Sequence, residues 1–211
     1  MVGQGVLREC LLDPEIQLVK TVGRTVTGNK YPKLREIAHA DLLEYSQIED
    51  ELRGFDACFF CLGVSSAGMS EAQYHSLTYD ITITAAETLS RLNPDMTFVY
   101  VSGAGTDSTE KGPRMWAGVK GKTENALLYL PFKAAYMFRP AIIQSSHGER
   151  SKTSAYRIGY TLTKPLLPLL RALFPNYVLT TQQIGRAMIQ VAKHGAPKRI
   201  LETADIRKCA G

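Results

Sequence analysis

Apolar residues along this chain recur with two periods, one of three to four residues and one without a polar face, and the two kinds of segment alternate. Residues 2–12 carry Val6, Cys10 and Leu11 along one face, the spacing of a helix, and Asp13-Pro14 stops it. Residues 16–23 then read as a strand ending in Val22-Gly23-Arg24, and residues 34–38 as a second short strand. Residues 46–53 fit a short polar helix, with Ser46 and Glu49 at capping-box spacing. Residues 55–62 are too apolar to have a wet face, the pattern of a central parallel strand.

The longest periodic segment covers 70–91, where Tyr74, Leu77, Ile81, Ala85 and Leu89 recur at helical spacing before Asn93-Pro94. An apolar strand follows at 97–101, then a polar loop at 102–108. Residues 115–130 predict a helix with Val119, Ala126, Leu127 and Leu130 inward, and residues 134–138 a strand closed by Arg139-Pro140. Further on come an apolar helix near 166–173, a helix over 181–193 capped by Thr181, and a strand over 199–203. Strands alternating with helices at these lengths specify a parallel sheet covered on both faces. With no internal repeat and no linker, residues 1–211 read as a single α/β domain, in which about 145–211 form a small C-terminal cap.

Composition narrows the function classes. The chain has 211 residues, 45% apolar and 21% charged, ordinary values for a globular domain. A net charge of +5 without a basic run gives no nucleic-acid footprint, though it suits a polyanionic cofactor. The longest apolar stretch, 162–174, is broken by Lys164, Pro165, Pro168 and Arg171, so it falls short of the roughly 20 residues of a membrane span. Arg8, Glu9 and Asp13 interrupt any signal-peptide core, which points to a cytoplasmic protein. The four histidines show no metal-ligand spacing, and no metal site is expected. Cys58 and Cys61, three apart on a strand, face opposite sides and read as buried free thiols, as expected in a reducing compartment.

In open parallel sheets ligands bind beyond the carboxyl ends of the strands. Those ends here are Gly23-Arg24, His39-Ala-Asp41, Cys61-Leu62-Gly63, Ser102-Gly-Ala and Arg139-Pro140-Ala141-Ile142. Each is a polar or small turn that would be unremarked alone; five in succession read as a binding face. Gly3 and Gly5 stand at the entry to the first helix, where small residues let a phosphate reach the helix N–H groups or, the commoner reason for such a pair, let another helix pack closely.

These residues together resemble an atypical short-chain dehydrogenase/reductase, of the group that contains the Tat-interactive protein homologue and bacterial NAD(P)-binding relatives. The resemblance covers nearly the whole chain and implies a Rossmann-like, doubly wound parallel sheet. Met1-Val2-Gly3 resembles the end of the family's Gly-x-x-Gly-x-x-Gly turn, with Gly3 as the third glycine, so the first strand and the start of the Gly-rich loop are absent from this sequence. Two explanations follow: a polypeptide that begins upstream of Met1, which the reading favours, or another segment or chain in that strand's place. Either way the 211-residue chain is expected to bind NADP(H) poorly. By the same resemblance Arg24 is a partner for an adenosine 2′-phosphate, hence NADP rather than NAD, and Asp41 with Leu42 contacts adenine. Cys61, Leu62 and Gly63 line the cofactor, and Pro140, Ala141 and Ile142 lie near the nicotinamide.

The family's reacting groups are a Ser and a Tyr-x-x-x-Lys. Ser102 and Lys120 match the Ser and Lys positions, but Trp116 stands where the tyrosine belongs. An indole N–H donates a hydrogen bond and does not titrate usefully. Two functions therefore remain: an NADP(H)-dependent oxidoreductase for an unidentified small carbonyl or alcohol, or a non-catalytic NADP(H)-sensing or interaction module. The stretch 166–173 reads as core packing or as a partner or homodimer surface.

Overall fold

The computed structural model describes residues 1–146 and 177–211. The helix anticipated near 166–173 lies outside them. The expected α/β architecture is present, and most elements fall within one or two residues of their sequence boundaries. Helix α1 spans Val2–Leu12, strand β1 Val19–Gly23 and β2 Leu34–Ala38. A 3-10 turn at Ser46–Leu52 precedes β3, Ala57–Phe60. Helix α2, Glu71–His75, runs through a π turn at Ser76–Asp80 into α3, Ile81–Leu92. Then follow β4 Thr97–Val101, α4 Met115–Tyr129, β5 Ala134–Arg139 and β6 Ile142–Gln144. The chain closes with β7 Val178–Thr180, α5 Thr181–His194, β8 Ile200–Glu202 and α6 Thr203–Cys209.

Strand alternation sorts the core into two layers. Val99, Tyr136, Phe138 and Leu201 face one side, where α1, α5 and α6 cover them with Val6, Cys10, Ile184, Met188 and Ile206. Phe60, Phe98, Tyr100, Ala135 and Met137 face the other, under Ala85, Ala86 and Leu92 of α3 and Leu127 of α4. The same alternation separates Cys58 from Cys61, which pack in different layers as free thiols. Helix α1 crosses α5 at a distance only glycine permits: a Cβ on Gly5 would stand 2.5 Å from the Thr181 Cβ, and one on Gly185 would stand 2.9 Å from Glu9 Cγ. Gly5 therefore serves helix packing, the plainer of its two sequence readings.

The parallel sheet is interrupted. β1 and β2 pair with each other, and β3-β4-β5-β8 form a separate four-stranded sheet, all parallel. Among the described residues no strand joins β1 to β3, although α1 packs on both. In the doubly wound order 3-2-1-4-5-6 this is the position of the first strand.

Local corrections have physical causes. Ser46 does not cap the 3-10 turn, whose N-cap is Tyr45 without a side-chain bond; its N–H instead meets Glu44 Oε1 at 2.7 Å. Thr180, not Thr181, caps α5, in a reciprocal box with Gln183. Ser70 and Gln73 form another such box at α2. The π turn rotates the helix by one residue, so Leu77, assigned inward by its period, is 42% exposed. No described helix is long and apolar enough to cross a membrane, and no described cluster of His, Cys, Asp and Glu could hold a metal.

Candidate functional site

The carboxyl ends of β3, β4 and β5 share one edge of their sheet because the three strands are parallel. The N-terminus of α1 opens at this edge: a Cβ on Gly3 would lie 3.3 Å from the Cys61 Cβ just beyond β3. The first turn of α1 thereby brings backbone N–H groups and the positive helix end to the strand termini. Leu62 and Gly63 continue from Cys61 as exposed residues, and nothing lies within 4 Å of a Cβ built on Gly63.

Beyond β4 the chain turns under α4. The Lys120 Nζ donates to the Ser102 carbonyl, and a Cβ on Gly103 would lie 3.8 Å from that Nζ and 3.9 Å from the Pro140 carbonyl. Gly103 has φ +139°, a conformation that side chains disfavour. The Ala104 N–H bonds the Pro140 carbonyl at 3.0 Å, which holds the β4 and β5 ends together. Ser102 and Pro140, at the ends of β4 and β5, and Lys120, on α4, are thus brought together. Ala141 donates its N–H to Thr203 Oγ1 at 3.0 Å, and Ile142 is exposed.

The Ser102 hydroxyl points away from this edge. It is 5% exposed and donates to Glu124 Oε1 at 2.5 Å, with Phe138 O at 3.2 Å. Glu124, fully buried, also receives the Arg139 guanidinium through Nε, 3.1 and 3.2 Å from its two oxygens, and through a second nitrogen. Arg139 continues to Ser108 Oγ at 2.6 Å and Glu202 at 3.3 Å. This Ser102–Glu124–Arg139 network was not legible in the sequence, where Glu124 looked like one more polar residue on a helix.

Burial lowers the Lys120 ammonium to about 8, with Glu124 pulling the other way. Because the folded pKa lies below the unfolded value, the unfolded chain binds more protons between about pH 8 and 10, and stability rises with pH through that window. Relative to a Lys120→Met variant, the wild type is expected to gain about 2 kcal/mol between these limits. Denaturant titrations at pH 8 and 10 check this; equal gains in both proteins would remove Lys120 as the source.

Trp116 lies one helical turn before Lys120 and borders the loop, its ring 3.5 Å from a Cβ on Gly105. Asp107 stiffens that loop by accepting from Thr109 Oγ1 at 2.7 Å, Thr109 N–H at 2.9 Å and Gly112 N–H at 2.7 Å. Arg24 and Asp41 are exposed at the carboxyl ends of β1 and β2, on the two-stranded sheet and apart from the Lys120 group. Asp41 closes a local turn through the Leu43 N–H, 2.9 Å away, while Leu42 is half-buried.

This architecture defines a class by shape: a Rossmann-like α/β fold with a parallel central sheet. No family model matches the sequence, and no curated protein does. Solved structures do. The Bordetella bronchiseptica enzyme WbmF, in complex with NAD+ and UDP, aligns over 98% of this chain and 72% of its own, with TM-score 0.67 and 15% identity. The Helicobacter pylori ADP-L-glycero-D-manno-heptose-6-epimerase aligns over 96% of this chain and 73% of its own, with TM-score 0.66 and 14% identity. A glucuronic acid dehydrogenase from Chromohalobacter salexigens gives 95%, 71%, 0.61 and 14% in the same order. At these identities the likeness establishes the fold shared with such epimerases and dehydrogenases.

Proposed function

We propose that the chain binds NADP(H) across its strand termini and is an atypical short-chain oxidoreductase for a small carbonyl or alcohol. The carrying observation is the opening of α1 at the edge where Lys120, Ser102 and Gly103 meet. The residues there suit a dinucleotide. Gly63 offers open backbone, Gly3 lets α1 pack closely on Cys61 beside it, and a helix N-terminus attracts phosphate. In this reading Met1, Val2 and Gly3 meet the pyrophosphate, Arg24 the 2′-phosphate, and Asp41 with Leu42 the adenine. Cys61, Leu62 and Gly63 line the middle, and Pro140, Ala141 and Ile142 face the nicotinamide. The cofactor supplies hydride chemistry. Lys120, which titrates near pH 8, holds the ribose and moves the proton. Trp116 contributes contact and an N–H donor, not a titrating group.

NADPH is expected to raise the melting temperature more than NADH, weakly for the 211-residue chain. Arg24→Glu should weaken NADPH by about 10- to 100-fold and leave NADH nearly unchanged, as loss of one charge-assisted hydrogen bond predicts. Calorimetric titration measures both. Because the sheet is interrupted beside the phosphate-binding turn, a form extended upstream by a strand and a Gly-x-x-Gly turn is titrated in parallel. If neither form responds to either nucleotide, the assignment fails.

Trp116 and the occupied Ser102 hydroxyl favour a second reading, a non-catalytic NADP(H)-responsive interaction module. It predicts stabilisation by NADPH without turnover of an aldehyde and ketone panel. The oxidoreductase predicts slow turnover that Lys120→Ala abolishes.

A further inference from the structure

Four side chains meet where the π turn faces α4. His75 ends α2, Asp80 ends the π turn, and Lys122 stands on α4. The His75 Nδ1 lies 3.3 Å from Asp80 Oδ1, and its Nε2 lies 3.1 Å from the Lys122 Nζ. The same ammonium sits 4.8 Å above the Tyr79 ring, whose centroid is 4.7 Å from that of the His75 imidazole. In a regular α-helix, residues five apart are turned about 140° from each other. The π turn, with its i→i+5 bonds, brings His75 and Asp80 to one face and so creates the cluster.

The chemistry of the two partners fixes the ring's proton. An ammonium has three donors and no acceptor, so the Nε2 facing Lys122 must be the bare nitrogen. The proton of the neutral imidazole is then on Nδ1, on the side of the Asp80 carboxylate. A second proton, on Nε2, would set two cations 3.1 Å apart with a donor facing a donor. Asp80, by contrast, attracts the charged ring more than the neutral one. Asp80 from the π turn and Lys122 from α4 are the charged groups that the described residues place against this ring. Glu71, one turn back on α2, is exposed, and Tyr79 presents its ring face. The His75 side chain is 29% exposed and that of Asp80 43%, so protons reach both from solvent.

We propose that His75 is an acid-operated tie between the π turn and α4: neutral, it holds Lys122 through Nε2; protonated, it releases Lys122 and pairs with Asp80. Histidine is the side chain that changes charge between pH 5 and 8, which no glutamine or lysine in its place would do. On release the Lys122 ammonium keeps only the face of Tyr79 among these neighbours. What loosens is the attachment of α4. Lys120 stands about 200° around the same helix, so the tie acts on the outer side of the element that carries it. The inference holds whether or not the chain binds a nucleotide.

The test uses the 211-residue chain without nucleotide. Nitrogen-15 shifts of the His75 ring at pH 8 read the tautomer directly. The proton is expected on Nδ1, and a ring protonated on Nε2 overturns the proposal. Two double-mutant cycles, His75→Ala with Lys122→Met and His75→Ala with Asp80→Asn, are then read by denaturation at pH 8 and pH 5. All three side chains are partly exposed, so none of these changes empties the core. The coupling between His75 and Lys122 is expected to stabilise by about 2- to 5-fold in the unfolding constant at pH 8, and to vanish or reverse at pH 5. The coupling between His75 and Asp80 should move the other way, growing by a similar factor toward pH 5. A contact that only packs would give couplings indifferent to pH. Equal couplings at the two pH values, zero included, overturn the proposal, as does a coupling between His75 and Lys122 that strengthens in acid.

Discussion

Gly121→Ala is expected to destabilise the protein by about 3 kcal/mol or more, a fall of roughly 6–12 °C in melting temperature. A Cβ on Gly121 would lie 1.8 Å from the Asp107 carbonyl oxygen and 2.5 Å from its carbon. Both are backbone atoms, in a loop fixed by the Asp107 N–H to Ala117 O bond at 3.1 Å and by Asn125 to Ser108 O at 3.0 Å. Alanine's helix propensity returns about 1 kcal/mol, too little to offset displacement of that loop from α4. Gly118 in the same helix is the control. Its Cβ would meet only Glu110 O at 3.6 Å, an ordinary contact, so Gly118→Ala should be neutral or stabilise by up to about 1 kcal/mol. Thermal melts of both variants read the difference. Similar behaviour of the two would mean that α4 and the loop are not packed this closely.

Arg139→Met should cost about 3–5 kcal/mol, because it leaves the fully buried Glu124 carboxylate with the Ser102 hydroxyl as its remaining hydrogen-bond partner and the Lys120 charge as its only compensation. Glu124→Leu alone should cost less, since Arg139 is partly exposed and keeps Glu202 and Ser108. Combining the two removes both charges, and the double variant should recover much of the loss. A denaturation double-mutant cycle gives the coupling directly. Additive losses would show that the pair acts as two independent groups.

The sheet was readable because its strands announce themselves. Thr97–Val101 and Leu34–Ala38 occupy the residues that the pattern indicated, and β3 and β4 are apolar on both faces because helices cover both. Partners distant in sequence were less readable. Ser102 and Glu124 are 22 residues apart and meet because α4 packs over the end of β4, and no local period encodes that. The strand ends were legible as small and polar turns, but the direction of the Ser102 hydroxyl was not. The close approach at Gly121 also depends on a loop that has no periodicity of its own. Cap errors had a smaller cause. Adjacent threonines at 180 and 181 offer equivalent hydroxyls, and backbone geometry alone selects Thr180.

The π turn has a consequence for how this chain tolerates change in length. Before it, Tyr74 is 2% exposed and anchors α2; after it, Ala85 and Ala86 key α3 into the sheet layer. Between them, His75 contacts Asp80 at 3.3 Å and Lys122 of α4 at 3.1 Å, and the Lys122 ammonium lies over the Tyr79 ring, so the widened turn is tied to α4 by side chains. The two halves of the long helix hold their phases independently, and the surplus residue is absorbed where they meet. The segment thus works as an expansion joint. A one-residue insertion or deletion, which would rotate an uninterrupted helix by about 100° and turn its apolar stripe to water, can be taken up there without disturbing either anchor.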